Sequence, residues 1–206
     1  MKKIPTLFIK EYNPDHSFVL TENVKPGLGW VLDGEGLATV KWDGSCCAVF
    51  GGVLYKRYDA KKGKKAPEGA IPCEAAPDPV TGHWPHWVKC EEGNPADKWF
   101  LAAYKNTLAE APKEGAFSNA QSGLMDWTYE AVGPHFQGNP YGLSEDKLIQ
   151  HGMKLIDLPD RSFDAIREYL EKTNIEGIVF WKDGEAQCKI KRRDFGFRWP
   201  NKDSKQ

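Results

Sequence analysis

Apolar positions along this chain recur mostly with a period of two. Leu37-Ala38-Thr39-Val40 and Cys46-Cys47-Ala48-Val49-Phe50 are β-type runs, and Gly51-Gly52 turns the second into Val53–Tyr58. Residues 37–58 therefore read as a hairpin built around Lys41-Trp42-Asp43-Gly44. From Met125 to Val132, Met125, Trp127, Tyr129 and Ala131 alternate with Asp126, Thr128 and Glu130, which puts Glu130 on the face opposite Tyr129. Gly177–Trp181 and Ala186–Ile190 flank an Asp183-Gly184 turn, and Leu7-Phe8-Ile9 and Lys154–Leu158 are shorter strand candidates. Helical spacing is confined to Ala96–Glu110, stopped by Pro112, and to Ser162–Lys172, where Ser162 caps a stripe of Phe163, Ile166, Tyr169 and Leu170. Ser144-x-x-Lys147 opens a brief helix at most. Residues 59–95 are punctuated by Pro and Gly with little periodicity, a loop-rich insertion rather than a core element. Hairpins dominate, and neither a repeat nor a long linker is visible. The pattern predicts a single α+β domain over residues 1–206, built on antiparallel sheets.

Composition narrows this little. Forty per cent apolar and 12% aromatic residues support a real core. No run of 18 apolar residues exists, so no membrane-spanning helix is expected. Met1-Lys2-Lys3-Ile4-Pro5 lacks the apolar stretch of a secretory signal. Five cysteines, an odd number with two adjacent, imply reduced thiols and a cytoplasmic setting.

Charge changes the picture more. The formal net charge is −1, yet Lys56–Lys65 and Lys182–Gln206 together hold +9 and the remainder −10. Two concentrated basic segments in a near-neutral chain suit a local polyanion site better than general coating of nucleic acid. There is no G-x-x-x-x-G-K-[ST] and no G-x-G-x-x-G, so neither a Walker-type phosphate loop nor a dinucleotide fold is indicated. Lys41, at the end of a β run with an acid two residues on, is a candidate nucleophile. A lysine attacks phosphorus only as the free amine, which neighbouring cations or desolvation favour. The same tetrapeptide also suits a surface lysine beside an Asp-Gly turn.

Five short words occur in order: Lys41-Trp42-Asp43-Gly44, Lys56-Arg57, Tyr129-Glu130-Ala131-Val132-Gly133, Glu176-Gly177-Ile178-Val179-Phe180 and Lys189-Ile190-Lys191-Arg192. Together they resemble motifs I, Ia, III, IV and V of the covalent nucleotidyltransferases, the ATP-dependent DNA and RNA ligases and mRNA capping enzymes, over residues 37–193. Lys41–Cys47, Gly138-Asn139-Pro140-Tyr141-Gly142, His151-Gly152 and Glu176–Trp181 are similar to the small vertebrate-type 5′–3′ RNA ligases.

The resemblance implies a ligase-type adenylation domain and a role for each matching residue. Lys41 takes the AMP of ATP. Asp43 lies near the ribose or holds the lysine's loop, and Arg57 contacts phosphate or ribose. Its neighbours Lys56, Lys61 and Lys62 could extend a basic surface to RNA. Glu130 and Glu176 reach a ribose hydroxyl or Mg²⁺ (or Mn²⁺), directly or through water. Lys189 and Lys191, on one face of a strand, contact the α-phosphate and favour the neutral form of Lys41; the same pair also suits a basic edge strand. Val179 covers one face of the adenine, and His151 is a candidate for the other, equally well placed as a helix-end histidine. Many relatives carry a glutamate just before the nucleophile, where this chain has Val40. Only fifteen residues follow Lys191, so no OB domain is expected.

The implied activity is ATP-dependent joining of RNA 5′-phosphate and 3′-hydroxyl ends through lysyl-AMP and RNA-adenylate intermediates, with no obligate protein partner. A minimal DNA ligase, a guanylyltransferase, and a nucleic-acid-binding protein with a degenerate site are the alternatives.

Overall fold

The computed structural model describes residues 2–110 and 124–200. Pro112, expected to stop a helix, and the last residues of the second basic segment lie outside them. In chain order the strands are β1 (Phe8–Tyr12), β2 (Phe18–Val24), β3 (Leu37–Lys41), β4 (Ser45–Phe50), β5 (Val53–Ala60), β6 (Ile71–Pro72) and β7 (Trp84–Lys89), followed by β8 (Trp127–Val132), β9 (Lys147–Gln150), β10 (Gly177–Lys182) and β11 (Glu185–Lys191). The α-helices are α1 (Lys98–Glu110) and α2 (Phe163–Lys172). Every ladder between named strands is antiparallel. Among the described residues no helix is long and apolar enough to cross a membrane.

The chain forms two compact units. The unit central in sequence is Met1–Lys3 with Asp43–His151; the flanking unit is Ile4–Trp42 with Gly152–Gln206. Of the three crossings between units, two fall inside motif words, at Trp42-Asp43 and His151-Gly152, and the third is at Lys3-Ile4.

The flanking unit holds the β1-β2 ribbon, the sheet β11-β10-β3 and α2. One face of that sheet (Ala38, Ile178, Phe180, Cys188, Ile190) joins Ile166 and Leu170 of α2 in the core. Those two are spaced i,i+4, so a single helix face supplies both. Burying each such aliphatic side chain stabilises by roughly 1.5–3 kcal/mol. Ser162 caps α2, its hydroxyl accepting the Ala165 N–H at 3.3 Å. Lys154–Leu158 is not a strand; it touches β3 through one bridge, Thr39 to Leu155.

The central unit is the sheet β6-β7-β5-β4-β8-β9 with α1. Its core gathers Cys47, Val49, Leu54, Tyr129, Ala131 and Leu148, with Ala103 of α1. Three expectations change here. β3 and β4 are not a hairpin, since β3 pairs with β10 and β4 with β5 and β8. Residues 59–95 contain β6 and β7, and β7 buries Pro85, His86 and Trp87. Its proline is tolerated because β7 has a full partner on one side, β5, and only the two-residue β6 on the other. The brief helix expected from Ser144 is instead β9, paired with β8.

Candidate active site

In the flanking unit the pairing register builds a charged cluster around one glycine. Gly177, first residue of the central strand β10, lies opposite Lys41 on β3 and opposite Lys191 on β11. Glu176 directly precedes it and is 1% exposed. Its Oε2 accepts a hydrogen bond from the Lys41 ammonium and its Oε1 lies 2.8 Å from the Lys191 ammonium. Lys41 also donates to the Trp42 carbonyl at 3.3 Å. A carboxylate this buried is tolerated only when its charge is compensated, and here both oxygens face a cation. Gly177 is needed for close approach: a Cβ there would stand 2.2 Å from the Ile190 carbonyl oxygen.

The strands supply the rest of this face. On β11, Ala186, Cys188 and Ile190 are buried while Gln187, Lys189 and Lys191 are half-buried on the other side, as a period of two requires. Val179 lies opposite Thr39 on one side and Lys189 on the other. The Lys189 backbone is clamped by the N-terminal segment, accepting from Leu7 N–H at 2.8 Å and donating to the Pro5 carbonyl at 3.0 Å. Trp181, two residues beyond Val179, shares the Thr39 face of the β10–β3 ladder, and the Thr39 hydroxyl accepts its indole N–H at 2.8 Å. Lys191 is fixed further: its N–H donates to Asp194 Oδ2 at 2.9 Å, and Asp194 Oδ1 takes Lys10 at 2.6 Å.

In the central unit the corner after the lysine motif is held by three side chains. The Asp43 N–H donates to the Tyr141 hydroxyl at 2.5 Å, and the Gly44 N–H to Glu130 Oε1 at 3.0 Å. The Gly44 carbonyl accepts from Gln137 at 3.2 Å. Gly44 is as tightly confined as Gly177, since a Cβ would stand 2.1 Å from the Ala131 carbonyl oxygen. The other Glu130 oxygen faces His151 Nε2 at 2.9 Å. Cys46 lies directly opposite Glu130 in the β4–β8 register. Burial, reinforced by the Glu130 charge, pushes the Cys46 thiol up to about 12. His151 is not at a helix end: it follows β9, with its N–H donating to the Thr128 carbonyl at 3.1 Å. Arg57 lies on β5 with its Nε on Asp59 at 2.8 Å.

The structure thus brings Lys41, Glu176 and Lys191 together within the flanking unit, on the face that also carries Val179 and Lys189. Within the central unit it brings Glu130 to His151 and to the Asp43-Gly44 corner. Lys56 has a partner the sequence did not suggest: its ammonium is 2.5 Å from Asp97, whose side chain is fully buried. It is the counter-ion of that buried carboxylate. Asp97 in turn accepts from the Glu91 N–H and from Asn94 ahead of α1. Sequence reading missed Tyr141, Gln137, Thr39, Trp181 and Cys46 as supports. Tyr141, Cys46 and Trp181 lie inside quoted words, whereas Gln137 and Thr39 carried no signal.

The profile of the RNA ligase 1 family matches residues 69–206. Three proteins named RNA ligase 1 align with 98% of this chain and 83% of their own length: one from Danio rerio at 27% identity, one from Pongo abelii at 25% and one from Mus musculus at 25%. With two thirds of its length matched by the profile, and the Lys41–Glu176–Lys191 cluster assembled from its motif words, the chain belongs to the RNA ligase 1 family.

Proposed function

We propose that this protein is an ATP-dependent RNA ligase of the covalent nucleotidyltransferase type, with Lys41 as its nucleophile. The observation that carries the reading is the pairing of Lys41 and Lys191 on one buried carboxylate, Glu176. Lys41 Nζ attacks the α-phosphorus of ATP, a P–N bond forms, and the P–O bond to pyrophosphate breaks. The amine must shed a proton first, and Glu176 already accepts a hydrogen bond from it. Lys191 and Lys189, on the same sheet face, stabilise charge on the phosphoryl oxygens. An RNA 5′-phosphate oxygen then displaces lysine from the AMP, and an RNA 3′-hydroxyl attacks the activated 5′-phosphate, forming the phosphodiester and releasing AMP. Val179 is assigned to the adenine. Roles for Asp43, Arg57, Glu130 and His151 toward nucleotide follow from the family likeness.

Glu176 does not fit a direct ligand of Mg²⁺, because each of its oxygens already faces an ammonium. An Mg²⁺ ion keeps most of its waters and takes phosphate oxygens readily. We therefore assign it to ATP, with Glu176 reaching it through water only.

The test is labelling with α-labelled ATP and Mg²⁺. The wild-type protein becomes covalently labelled and Lys41→Ala does not; a labelled Lys41→Ala protein would exclude Lys41 as nucleophile. ATP against GTP, and 5′-phosphorylated RNA against nicked DNA, separate an RNA ligase from a guanylyltransferase and a DNA ligase.

A further inference from the structure

We propose that Arg192 is a positioning residue for the adenylation site: by clamping the chain that carries Glu176, it keeps that carboxylate between Lys41 and Lys191. Arg192 closes the Lys189-Ile190-Lys191-Arg192 word and takes no part in the adenylation steps themselves. It is 5% exposed, and a cation that far from water is tolerated only when its charge is compensated. The compensation comes from main chain. The guanidinium donates to the Leu170, Glu171 and Thr173 carbonyls, and its Nε to the Arg198 carbonyl at 3.2 Å.

This side chain stands in for a helix cap. α2 ends at Lys172, and Thr173 is extended (φ −104°, ψ 151°), so no left-handed residue collects the last helical carbonyls. Those of Leu170 and Glu171 lie at the negative end of the helix dipole, where a cation is favoured. A guanidinium carries five N–H groups in a planar fork and serves several carbonyls at once. A lysine ammonium is a point charge on a flexible stem and cannot span them.

Only Asn174 and Ile175 separate Thr173 from Glu176, and Arg192 holds both ends of that short link. Its guanidinium takes the Thr173 carbonyl, and its backbone N–H donates to the Glu176 carbonyl at 2.8 Å. Ile175 packs against the flanking core. One step back along β11, Lys191 meets the Glu176 carboxylate. A single residue thus couples the end of α2 to the buried carboxylate and to one of its two cations, all within the flanking unit. The effect on adenylation rests on Lys41 being the nucleophile; the effect on the Lys41 amine itself does not.

The test compares the wild-type protein with Arg192→Ala and Arg192→Lys under conditions where urea titration shows each folded. Covalent labelling at saturating ATP slows about 10-fold or more in both variants, with the half-saturating ATP concentration little changed. Millimolar ethylguanidinium restores Arg192→Ala, whose cavity admits it, and does not restore Arg192→Lys. Without nucleotide, trace acetylation modifies Lys41 several-fold faster in both variants, because the amine is no longer held on Glu176, and modifies Lys105 of the central unit at the wild-type rate. Should Arg192→Ala not fold, Arg192→Lys, which keeps stem and charge, carries both comparisons. If the wild-type protein takes no label, the nucleophile reading fails and acetylation alone decides. Wild-type acetylation of Lys41 in a folded variant, or a loss confined to ATP affinity, would overturn the proposal.

Discussion

The two units solve the same problem differently: each holds a motif carboxylate beside a glycine that admits no Cβ. In the flanking unit Glu176 is fully buried and neutralised by two lysines drawn from the strands on either side. In the central unit Glu130 is half-buried, and its two oxygens face a backbone N–H and an imidazole. The first arrangement concentrates positive charge and a primary amine. The second ties its carboxylate to a backbone N–H and a histidine ring. One motif glutamate is thus bound by two cations, and the other holds the Asp43-Gly44 corner.

The sharpest way to break this comparison is to remove the two charges in turn. Glu176→Gln strands two ammoniums beside an amide. Breaking a buried pair costs about 3–5 kcal/mol, and covalent adenylation should fall on the order of 10²-fold or more. Glu130→Gln keeps an acceptor for the Gly44 N–H and should cost only about 1 kcal/mol. Chemical denaturation with the adenylation assay measures both. Equal losses would end the distinction between the two carboxylates.

The glycines come next. Gly177→Ala and Gly44→Ala each drive a methyl into a carbonyl oxygen, at 2.2 and 2.1 Å respectively, costing about 1–3 kcal/mol. Hydrogen exchange should place the damage of Gly177→Ala in β10 and β11, and that of Gly44→Ala in β4 and β8.

Alkaline pH separates the units more gently. Burial first of all pushes Cys46 and Cys90 up to about 12 and raises Cys47 well above its ordinary value in the central unit, and it likewise holds Tyr129 at about 12. The flanking unit has one such thiol, Cys188, also raised to about 12 by burial. A folded-state pKa above the unfolded one favours the protonated group. Its contribution is whole below the ordinary thiol value of about 9 and is lost as pH rises towards about 12. Limited proteolysis from about pH 8 upward should therefore cut within Asp43–His151 before Ile4–Trp42 or Gly152–Gln206. The smallest effect is Trp181→Phe, which loses the bond to Thr39 and about 1 kcal/mol.

The sequence made half of this legible. Lys189 and Lys191 declare a shared face by their spacing, and the hairpin of β10 and β11 is written in Asp183-Gly184. Nothing local says that Gly177 lies opposite two lysines at once, because register across three strands is fixed by core packing of Ala38, Ile178 and Ile190. β7 escaped detection since Trp84-Pro85-His86-Trp87 lacks alternation and carries a proline. Lys56 looked like one more member of a basic segment until Asp97, forty-one residues on, claimed it. Cys46 and His151 meet only through the order β4-β8-β9, which no single strand reveals.

The central claim is that the amine held on Glu176 accepts the nucleotide. Peptide mapping by mass spectrometry after incubation with ATP and Mg²⁺ tests it most directly. The account predicts one AMP, on the peptide containing Lys41 and on the Lys41 side chain. AMP on any other residue, or none on folded protein, would contradict it.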